Sequence, residues 1–390
     1  MSDFSKSKIG DLLTLHRGFD ITKKEQTDGV YPVVSSSGIT SFHNKFMVKG
    51  PGVIIGRKGT LGTAFYLETD YWPHDTTLWV KDFKGNDPKF IYYLLKLLPL
   101  EKLDSGSANP TLNRNFVHQL NTQKPEPEVQ KKIAAVLSVL DAKIDCKNRI
   151  NSELEAMAKT LYDYWFVQFD YPDASGKPYK SSGGKMAFNP TLKRKIPAGW
   201  KDSNILAVAD LLGGGTPTKK KPEYWNGSIP FFTPTDADGT IFRFATADYI
   251  SEEGLRKSST KLFGKNTVFI TARGSVGKLV LTGVDMAMNQ SCYALRAKQD
   301  ISHTYLFFLA KELIHHLEVK SSGSVFDSIV SNDIELTSLA IPDTTVVEKF
   351  AAIAEPAFEQ IANNTKENQL LAQLRDWLLP MLMNGQVTVK

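Results

Sequence analysis

The residues best placed to do chemistry in this sequence lie in a glycine-rich stretch that occurs twice. Residues 52–62 read GVIIGRKGTLG, and residues 266–278 read NTVFITARGSVGK. The second copy nearly matches the phosphate-binding loop G-x-x-x-x-G-K-[ST], in which backbone N–H groups surround a nucleotide phosphate. Ala272 replaces the first glycine of that motif, and Leu279 replaces the hydroxyl residue that binds magnesium. The stretch is therefore either a degraded nucleotide site or a loop used twice for another purpose.

An internal repeat favours the second alternative. Residues 105–120, SGSANPTLNRNFVHQL, align with residues 322–337, SGSVFDSIVSNDIELT, at an offset of 217 (322 minus 105). The tetrapeptide GTLG from Gly59 aligns with GSVG from Gly274 at an offset of 215 (274 minus 59). The segment WPHDTTLW at 72–79 matches MAMNQSCY at 286–293. The two copies differ at Asn109–Pro110, which Phe326–Asp327 replaces, so they are not interchangeable.

Each copy begins with a region that predicts an α+β module. Short runs rich in Val, Ile, Thr and aromatic residues, bounded by Gly, Pro and Asp, are typical of strands. Such runs include YPVVSSS, GVIIG, TAFYLE and TLWVKDF in the first copy, and IPFFTPT, NTVFITA, KLVLTG and SCYALRA in the second. A helix follows in each copy, and in the first copy Asp87 is its expected N-cap, with Pro88 at the first helical position.

A long helix is predicted after each module. Apolar residues recur there in steps of three and four, which indicates the narrow seam of a coiled coil. We expect the two helices to pair through Ile133, Leu140, Ile144, Leu154 and Leu161 in the first copy, and through Phe350, Ile361, Leu371 and Leu378 in the second. Pro356 and Pro380 are expected to kink or interrupt the second helix.

Both seams become polar at the same place, in DCKNRINSE and in ANNTKENQ. The asparagines there, Asn148, Asn151, Asn364 and Asn368, either fix the register of two helices that lie together or are simply solvated. The segment between the copies is dense in Gly, Pro, Ser and Lys, which is typical of a linker. We therefore predict modules at 1–124 and 201–341, long helices at 125–169 and 342–390, and a linker at 170–200.

Composition excludes some classes of protein for this chain. The chain has 390 residues, a net charge of +5 and two cysteines, Cys146 and Cys292, without paired spacing. This excludes a disulfide framework and a CxxC metal site. The N-terminal MSDFSKSKIG lacks the apolar core of a signal peptide, so we expect a cytoplasmic protein. The mild basic excess fits either an ordinary enzyme or a nucleic-acid binder whose cations are concentrated on certain faces.

Catalytic signatures are missing from the sequence. An amino-methyltransferase would carry [DN]-P-P-[YF], but Asn109–Pro110 and Asn189–Pro190 are both followed by Thr. His315 and His316 are adjacent on a predicted helix, where neighbouring side chains point about 100° apart and do not share a metal. We expect neither a catalytic site nor a metal site in this chain. A duplicated chain without catalytic residues indicates a recognition protein.

Duplex DNA is the ligand that suits two similar modules. A basic loop can hold phosphates while polar neighbours reach base edges, where Asn and Gln suit adenine and acids suit cytosine. The alternatives are a tight turn with exposed cations and, for the lysine run, a solvated face. The predicted DNA-binding residues are Arg57, Lys58, Thr60, His74, Asp75, Asn113 and Arg114 in the first copy, and Lys219, Lys220, Arg273, Ser275, Asn289 and Gln290 in the second.

Nearly the whole chain resembles the specificity (S, HsdS) subunits of type I restriction-modification enzymes. The resemblance lies in SSSGITSFHNKFMVKGPGVIIGRKGTLG, WPHDTTLWVKDFKGNDPKFIYYLL, SGSANPTLNRN and GKPYKSSGGKM…LKRKIPAGW. It implies two target-recognition domains in tandem, each reading one half of a bipartite, asymmetric DNA site. It also implies that the two long helices pair as an antiparallel coiled coil with pseudo-twofold symmetry, which sets the spacer between the half-sites.

The same resemblance implies a subunit that is not an enzyme by itself. Two methyltransferase (M) subunits would dock on the helices and carry S-adenosylmethionine, and motor-nuclease (R) subunits would add ATP and Mg²⁺, so this chain would hold no cofactor. The cell would be bacterial or archaeal. Two alternatives stay open: a stand-alone restriction or modification enzyme with unrecognised motifs, and a recognition or scaffold subunit of another phage-defence assembly.

Overall fold

The structure, a computed structural model, describes residues 4–103, 110–320 and 327–389. The chain divides into two compact units, one formed by residues 1–145 and 369–390 and the other by residues 146–368. Each unit thus contains one module together with part of each long helix. Among the described residues, no helix combines the length and the apolar character needed to cross a lipid bilayer.

The described strands of the first unit form a sheet in the order β2-β8-β5-β6, a second sheet in the order β4-β3-β7, and the ladder β1-β9. The strands are β1 (Phe4–Lys8), β2 (Thr14–Arg17), β3 (Tyr31–Ser35), β4 (Gly38–His43), β5 (Gly52–Gly56), β6 (Ala64–Leu67), β7 (Trp72–Pro73), β8 (Thr77–Asp82) and β9 (Asn121–Pro125).

The central strand β5 is buried along its whole length. Successive side chains of a strand point to opposite faces. Val53 and Ile55 accordingly pack into the main core of the unit, whereas Ile54 packs with Val34 and Tyr71 on the other face. Because both faces of β5 are buried, GVIIG is a continuous apolar run and not an alternation of apolar and polar residues. Burial of each such side chain stabilises the fold by about 1.5–3 kcal/mol.

Helices cover one face of the first unit's main sheet. They are α1 (Ile9–Leu12), α2 (Pro88–Leu97) and α3 (Arg114–Gln119), with a short 3₁₀ turn at Leu100–Leu103. The predicted cap of α2 is confirmed, since the Asp87 carboxylate accepts the Phe90 N–H at 2.8 Å and Pro88 begins the helix. Phe90, Leu94 and Leu95 of α2 are buried in the main core.

The second unit repeats this arrangement. Its described strands form a sheet in the order β13-β20-β17-β18-β15, a sheet in the order β16-β14-β19, the ladder β12-β21 and the hairpin β10-β11. The strands are β10 (Met186–Asn189), β11 (Arg194–Pro197), β12 (Lys201–Ser203), β13 (Ala209–Gly213), β14 (Trp225–Phe232), β15 (Phe242–Arg243), β16 (Asp248–Ile250), β17 (Val268–Thr271), β18 (Leu279–Thr282), β19 (Ala287–Met288), β20 (Cys292–Ala297) and β21 (Leu339–Ile341).

The helices of the second unit's module are α5 (Glu252–Arg256), α6 (His303–Lys320) and α7 (Ser331–Leu336), with 3₁₀ turns at Ile205–Ala207, Pro222–Tyr224 and Pro234–Asp236. The buried strand β17 follows the same logic as β5. Val268 and Ile270 face the main core, and Phe269 faces a separate cluster with Phe232 and Phe263. The prediction of two α+β modules in tandem is confirmed by these matching sheet orders.

Two long helices complete the fold, as predicted. Helix α4 runs from Pro127 to Tyr162 and continues as a π turn over Asp163–Val167, and α8 runs from Thr344 to Met383. Pro356 and Pro380 do not interrupt the second helix, because α8 is continuous through both; a kink at either residue stays a prediction. A proline removes one intrahelical hydrogen bond, and burial of the nearby Phe358 and Leu379 stabilises the helix.

Within each unit the two helices run antiparallel. In the first unit Asp141 of α4 pairs with Arg375 of α8 at 2.7 Å. In the second unit Asn148 receives a hydrogen bond from Asn368, and Asn151 receives one from Asn364, both at 2.8 Å. Partner numbers fall on α8 as they rise on α4, which defines the antiparallel direction.

The segment 170–200, predicted as a linker from its composition, has structure of its own. It contains the hairpin β10-β11, and Ile196 and Trp200 are buried in the core of the second unit. The stacked rings of Tyr171 and Tyr179 lie 4.8 Å apart between centroids. The placement of the domain boundaries stays a prediction.

Candidate nucleic-acid interface

The basic loop of the first unit joins two antiparallel strands, β5 and β6. It closes on itself because the Gly62 N–H donates to the Gly56 carbonyl at 2.9 Å. Gly59 and Gly62 both have a φ of +75°, a conformation that residues with a Cβ rarely adopt. At Gly62 a Cβ would also lie 2.6 Å from the Cβ of Leu100. Glycine is therefore required at these two positions by the conformation and packing of the loop.

The second loop has the same construction. It joins β17 to β18, the Gly277 N–H donates to the Thr271 carbonyl at 2.9 Å, and Gly274 and Gly277 have φ of +84° and +82°. A phosphate-binding loop would lead into a helix N-terminus, but a strand follows here. Lys278, the counterpart of the motif's lysine, donates to the Ala237 carbonyl at 2.8 Å. This geometry is that of a loop between two antiparallel strands and not of a nucleotide site.

A second segment, residues 74–76 in the first unit and residues 289–291 in the second, holds each loop in place through backbone hydrogen bonds, and we call it the fastening segment. The backbone N–H groups of Arg57 and Lys58 both donate to the Thr76 carbonyl, at 2.8 and 3.0 Å. In the second unit the N–H groups of Ala272 and Arg273 both donate to the Ser291 carbonyl, at 2.8 and 3.2 Å. Lys58 and Arg273 are thus structural equivalents, whereas Arg57 corresponds to Ala272.

These fastening segments begin directly after β7 and β19. The His74 N–H donates to Val34, and the Asn289 N–H donates to Phe232, both at 2.9 Å. The sequence alignment of WPHDTTLW with MAMNQSCY was wrong by one residue. Trp72 pairs with β3 as Ala287, not Met286, pairs with β14. His74 therefore corresponds to Asn289, and Asp75 to Gln290.

Glycines directly after β2 and β13 allow this close approach. A Cβ at Gly18 would lie 2.1 Å from the His74 carbonyl oxygen, and a Cβ at Gly214 would lie 2.1 Å from that of Asn289. A side chain at either position would force the two segments apart. Gly18 and Gly214 therefore fix the fastening segments against β2 and β13.

In the first unit, charged groups converge on Asp75. Its carboxylate lies 2.8 Å from the Arg17 guanidinium, 3.8 Å from Lys58 Nζ and 3.2 Å from His74 Nδ1. Burial alone would raise the pKa of Asp75, but the Arg17 hydrogen bond and the charges of His74 and Lys58 bring that pKa below its ordinary value. Asp75 is therefore ionised, and its negative charge is already balanced within the protein.

Arg57 lies in the same cluster and is half-buried. Its guanidinium donates to the Asp75 carbonyl at 3.1 Å. Burial lowers the pKa of Arg57 from its ordinary value, the charge of Arg17 lowers it further, and Asp75 acts in the opposite direction. The guanidinium still carries its charge at neutral pH, since an arginine side chain is not deprotonated in proteins.

Neutral amides occupy the matching positions of the second unit. The Asn289 Oδ1 accepts the Ser291 N–H at 3.0 Å. The Gln290 side chain contacts the hydroxyl of Thr216. Arg273 and Ser275 are exposed on the adjoining loop. The two units thus present different chemical groups on the same backbone frame.

The structure also places the other predicted DNA-binding residues. Thr60 is exposed in the first loop. The segment before Asn113 lies beside the same loop, since the Leu112 N–H donates to the Arg57 carbonyl at 2.9 Å. Asn113 caps α3 by accepting the Asn115 N–H at 2.9 Å, and Arg114 is exposed. Asn109 and Phe326, one residue of each differing pair, lie outside the described residues.

The lysine run of the second unit is partly ordered by aromatic rings. Lys219 Nζ lies 5.9 Å from the centre of the Trp225 ring, and the Trp225 indole N–H donates to the Thr218 carbonyl at 3.2 Å. Lys220 is exposed, and its backbone N–H approaches the Thr218 hydroxyl at 3.4 Å. Lys219 and Lys220 are both exposed, as a phosphate contact would require.

Two residues near Asp75 were missed by sequence reasoning. Arg17 reaches Asp75 because β2 pairs antiparallel with β8, which sets Arg17 opposite Leu78. Asp20 lies close enough that one ligand atom each from Asp20, His74 and Asp75 fall within 4.8 Å of one another. These are types of residue that can bind a cation. However, a metal ion is attracted by negative charge, and the positive charges of Arg17 and Lys58 already balance the negative charge of Asp75.

The predicted helix-pairing residues fall into three groups. Ile133 and Leu378 lie in or against the core of the first unit. Leu154, Leu161, Phe350 and Ile361 lie in or against the core of the second. The remaining three are half-buried and stand outside these clusters: Leu140, Ile144 and Leu371.

Comparisons with known proteins identify relatives that match most of this chain. A family model described as the type I restriction modification DNA specificity domain matches residues 1–156 and again residues 197–373. The MjaIX type I restriction enzyme specificity subunit of Methanocaldococcus jannaschii is 27% identical over 314 residues, covering 77% of this chain and 69% of the relative. The HindI specificity subunit of Haemophilus influenzae is 23% identical over 355 residues, covering 77% of each chain.

One solved structure supports the fold. The crystal structure of the type I restriction-modification system S subunit from M. genitalium covers 97% of this chain and 96% of its own, with a TM-score of 0.61 and 17% identity.

Proposed function

The chain belongs to the type I restriction modification DNA specificity family, and from this premise we propose that it is the DNA sequence-specificity subunit of a type I restriction-modification complex. Each module reads one half of a bipartite, asymmetric DNA site. The observation that carries the proposal is that the same loop frame is built twice with different side chains at its exposed positions. Two copies of one frame suit two half-sites, and different side chains suit different bases.

The loops supply the two kinds of contact that DNA recognition needs. Cations such as Lys58, Arg273 and Lys220 hold phosphates, which gives affinity without sequence information. In this proposal His74, Asn289 and Gln290 of the fastening segments reach base edges. Because the glycine turns and backbone hydrogen bonds fix the frame, little conformational freedom is lost when DNA binds.

The paired helices carry the second part of the proposal. They set the spacer between half-sites and dock two methyltransferase subunits, and motor-nuclease subunits join through the complex. This chain supplies no catalysis and binds no cofactor. S-adenosylmethionine, ATP and Mg²⁺ belong to the partner subunits. Supporting this assignment, the names of the relatives describe specificity subunits of type I restriction enzymes.

The proposal is tested by expressing the full chain with methyltransferase subunits from its own genome and mapping methylated adenines in the host DNA. A split, asymmetric motif is expected. Exchange of residues 1–124 for those of a relative should change one half of the motif and leave the other half unaltered. A continuous motif, or a change in both halves, would contradict the assignment of one half-site to each module.

Two controls separate the alternatives. Methyl transfer by the purified chain alone would identify a stand-alone enzyme. Binding to random duplex DNA should weaken steeply with salt if cations contact phosphates, because each phosphate contact releases counterions. A protein scaffold would show no such slope.

A further inference from the structure

We infer that Asn289 reads a hydrogen-bond acceptor on a base edge of the second half-site, so that the contacted base is guanine, thymine or adenine through its N7, and not cytosine. The inference rests on the proposed function and deepens it. It also departs from the usual pairing of asparagine with adenine, in which the amide accepts from N6 and donates to N7 at once. The reason lies in how the amide of Asn289 is held.

The orientation of this amide is fixed by a backbone group. The Ser291 N–H donates to Asn289 at 3.0 Å. A backbone N–H can only donate, so the atom that it meets must be the amide oxygen and not the amide nitrogen. The oxygen is thereby turned toward the protein's own main chain. A bidentate contact with adenine would need that oxygen to face the DNA.

The amide nitrogen has the opposite exposure. Asn289 is half-buried, and within the described part of the chain its Nδ2 donates to no group and is not among the buried polar atoms that lack a partner. Among the described residues, nothing therefore occupies its two N–H bonds. In the major groove the acceptors for these bonds are O6 and N7 of guanine, O4 of thymine and N7 of adenine, whereas cytosine offers only a donor.

The segment that carries Asn289 is rigid. Its N–H donates to the Phe232 carbonyl at 2.9 Å, and Gly214 packs directly on its carbonyl group. The Ser291 carbonyl receives two N–H groups of the basic loop, so Asn289 is tied to the exposed Arg273. The backbone hydrogen bonds thus fix the proposed phosphate-binding cation, Arg273, and the proposed base-reading donor, Asn289, relative to each other.

Neighbouring side chains do not allow the same conclusion. Gln290 meets the hydroxyl of Thr216, and because a hydroxyl can donate or accept, the orientation of that amide is not fixed. His74, the equivalent of Asn289, has its Nδ1 3.4 Å from the Thr76 N–H but also 3.2 Å from the Asp75 carboxylate. These two contacts favour different tautomers. The inference is therefore confined to the second module.

Asn289→Asp is the sharpest test. The aspartate has the same shape and still accepts the Ser291 N–H with one oxygen, but its other oxygen presents an acceptor where the amide presented donors. The full chain with its methyltransferase subunits is used to select duplexes from a randomised library. At one position of the second half-site, preference should move by about tenfold toward a base with an amino group, cytosine or adenine. The first half-site should not change.

Two further variants make the result decisive. Asn332→Asp adds the same charge at an exposed position of α7 in the same unit, and it should lower affinity slightly for all sequences while leaving the motif unaltered. Asn289→Ala removes the donor without adding charge, and it should relax selection at that one position. Thermal unfolding of each variant checks that the fold is kept.

The outcomes separate the two levels of the proposal. A wild-type complex that selects no split motif would contradict the proposed function itself. A split motif that stays unaltered in both Asn289 variants, or a position that only loses selectivity in Asn289→Asp as it does in Asn289→Ala, would overturn the inference and leave the proposed function standing. A new preference for a different base pair at one position of the second half-site in Asn289→Asp, together with relaxed selection at that position in Asn289→Ala, would establish it.

Discussion

At the scale of single residues, the two units carry differently charged side chains at equivalent positions of the same backbone structure. The first unit places Asp75 among Arg17, Lys58 and His74, and the second unit places neutral amides at Asn289 and Gln290. An anionic group facing DNA would be repelled by phosphates. Because cations of the protein already balance Asp75, its role in the proposed function is to position Arg17 and Lys58 rather than to face the backbone of the DNA.

Replacing Asp75 by asparagine tests this role. Without the carboxylate, Arg17 and Lys58 lose their ionic partner and gain freedom to contact phosphates of any sequence. We expect Asp75→Asn to bind random duplex DNA more tightly, with a salt dependence steeper by up to about one or two phosphate contacts. The ratio of specific to random binding should fall. Fluorescence anisotropy with random and methylation-motif duplexes at several salt concentrations measures both quantities.

The matched control is Asp28→Asn, which makes the same charge change at an exposed position of the same unit. It should alter random binding much less than Asp75→Asn does. Equal gains in the two variants would mean that net charge alone is responsible. Stability should fall by less than about 1 kcal/mol in Asp75→Asn, since ion pairs with an exposed partner contribute little.

At the scale of secondary-structure elements, the polar layer of the helix pair resolves an alternative that the sequence left open. Asn364 is buried, with only 2% of its surface exposed. Its oxygen accepts from Lys147 at 3.0 Å and from Gln360 at 2.9 Å, and its nitrogen donates to Asn151 at 2.8 Å. Asn364 and its partner Asn151 are therefore not simply solvated, whereas Asn148 is exposed. A shift of one helix along the other would leave buried polar groups without partners, which disfavours other registers.

The polar layer predicts a stability difference between two adjacent asparagines. Asn364→Ala removes the shared partner of Lys147 and Asn151, and it should reduce the free energy of unfolding by about 1–3 kcal/mol. Asn363→Ala, at the exposed neighbouring position, should change it by less than about 0.5 kcal/mol. Urea unfolding of the full chain measures both. Equal effects would show that the layer does not depend on Asn364.

A companion variant separates stability from register. Replacing Asn151 and Asn364 together by leucine removes both polar groups, so stability should recover to near the wild-type value or above it. The complex should then methylate motifs with more than one spacer length, because an apolar layer does not fix the register. A single unchanged spacer would argue that the surrounding side chains suffice.

A pH effect is expected where α3 meets β2. The Nε2 of His118 accepts the Leu15 N–H at 2.9 Å, which requires a neutral ring. Burial lowers the pKa of His118 from its ordinary 6.5, and the charges of Arg114 and Lys84 lower it further. As pH falls below 6.5 the unfolded chain gains a proton that the folded chain resists, so the fold loses stability. The loss ends once pH is below the folded pKa.

Thermal unfolding between pH 7.5 and pH 5 checks this expectation. His118→Gln cannot titrate, so its melting temperature should fall less over this range than that of the wild type. At pH 7.5 the comparison also shows the cost of the substitution itself. Parallel curves for the two proteins would place the pH dependence in other histidines.

At the scale of the whole molecule, the parts that the sequence predicted are those with local signals. Strand runs such as GVIIG, the helix cap at Asp87 and the two long helices each depend on residues close together in the chain, and the structure contains all of them. Arg17 could not be predicted as a partner of Asp75, because 58 residues separate them and only the β2–β8 pairing joins them. The orientation of the Asn289 amide depends on a backbone hydrogen bond that residue type does not reveal.

The register between repeats shows the same limit. Residue types suggested that Trp72 matches Met286, since both are large and apolar. Backbone hydrogen bonds instead match Trp72 with Ala287 and His74 with Asn289. Side-chain identity is free to vary at these positions because each copy serves a different half-site in the proposed function. The backbone frame does not vary, so it gives the correct alignment.

The spacer provides the prediction that belongs to the whole chain. Deleting residues 142–148 from α4 together with residues 368–374 from α8 removes seven residues, about two turns, from each antiparallel helix. The pairs Asp141–Arg375 and Asn151–Asn364 remain. At ~1.5 Å per residue the deletion shortens the helix pair by roughly 10 Å, which equals about three base pairs at ~3.4 Å each.

The methylated motif of the double deletion should therefore keep both half-sites and shorten its spacer by about three base pairs. Modification should be less efficient, because three base pairs also turn one half-site by roughly 100° around the DNA axis relative to the other. Removing seven residues from α4 alone leaves α8 without matched partners, and it should abolish a defined motif. An unaltered spacer in the double deletion would show that some other part of the complex measures the distance, and that the helices serve only to hold the partner subunits.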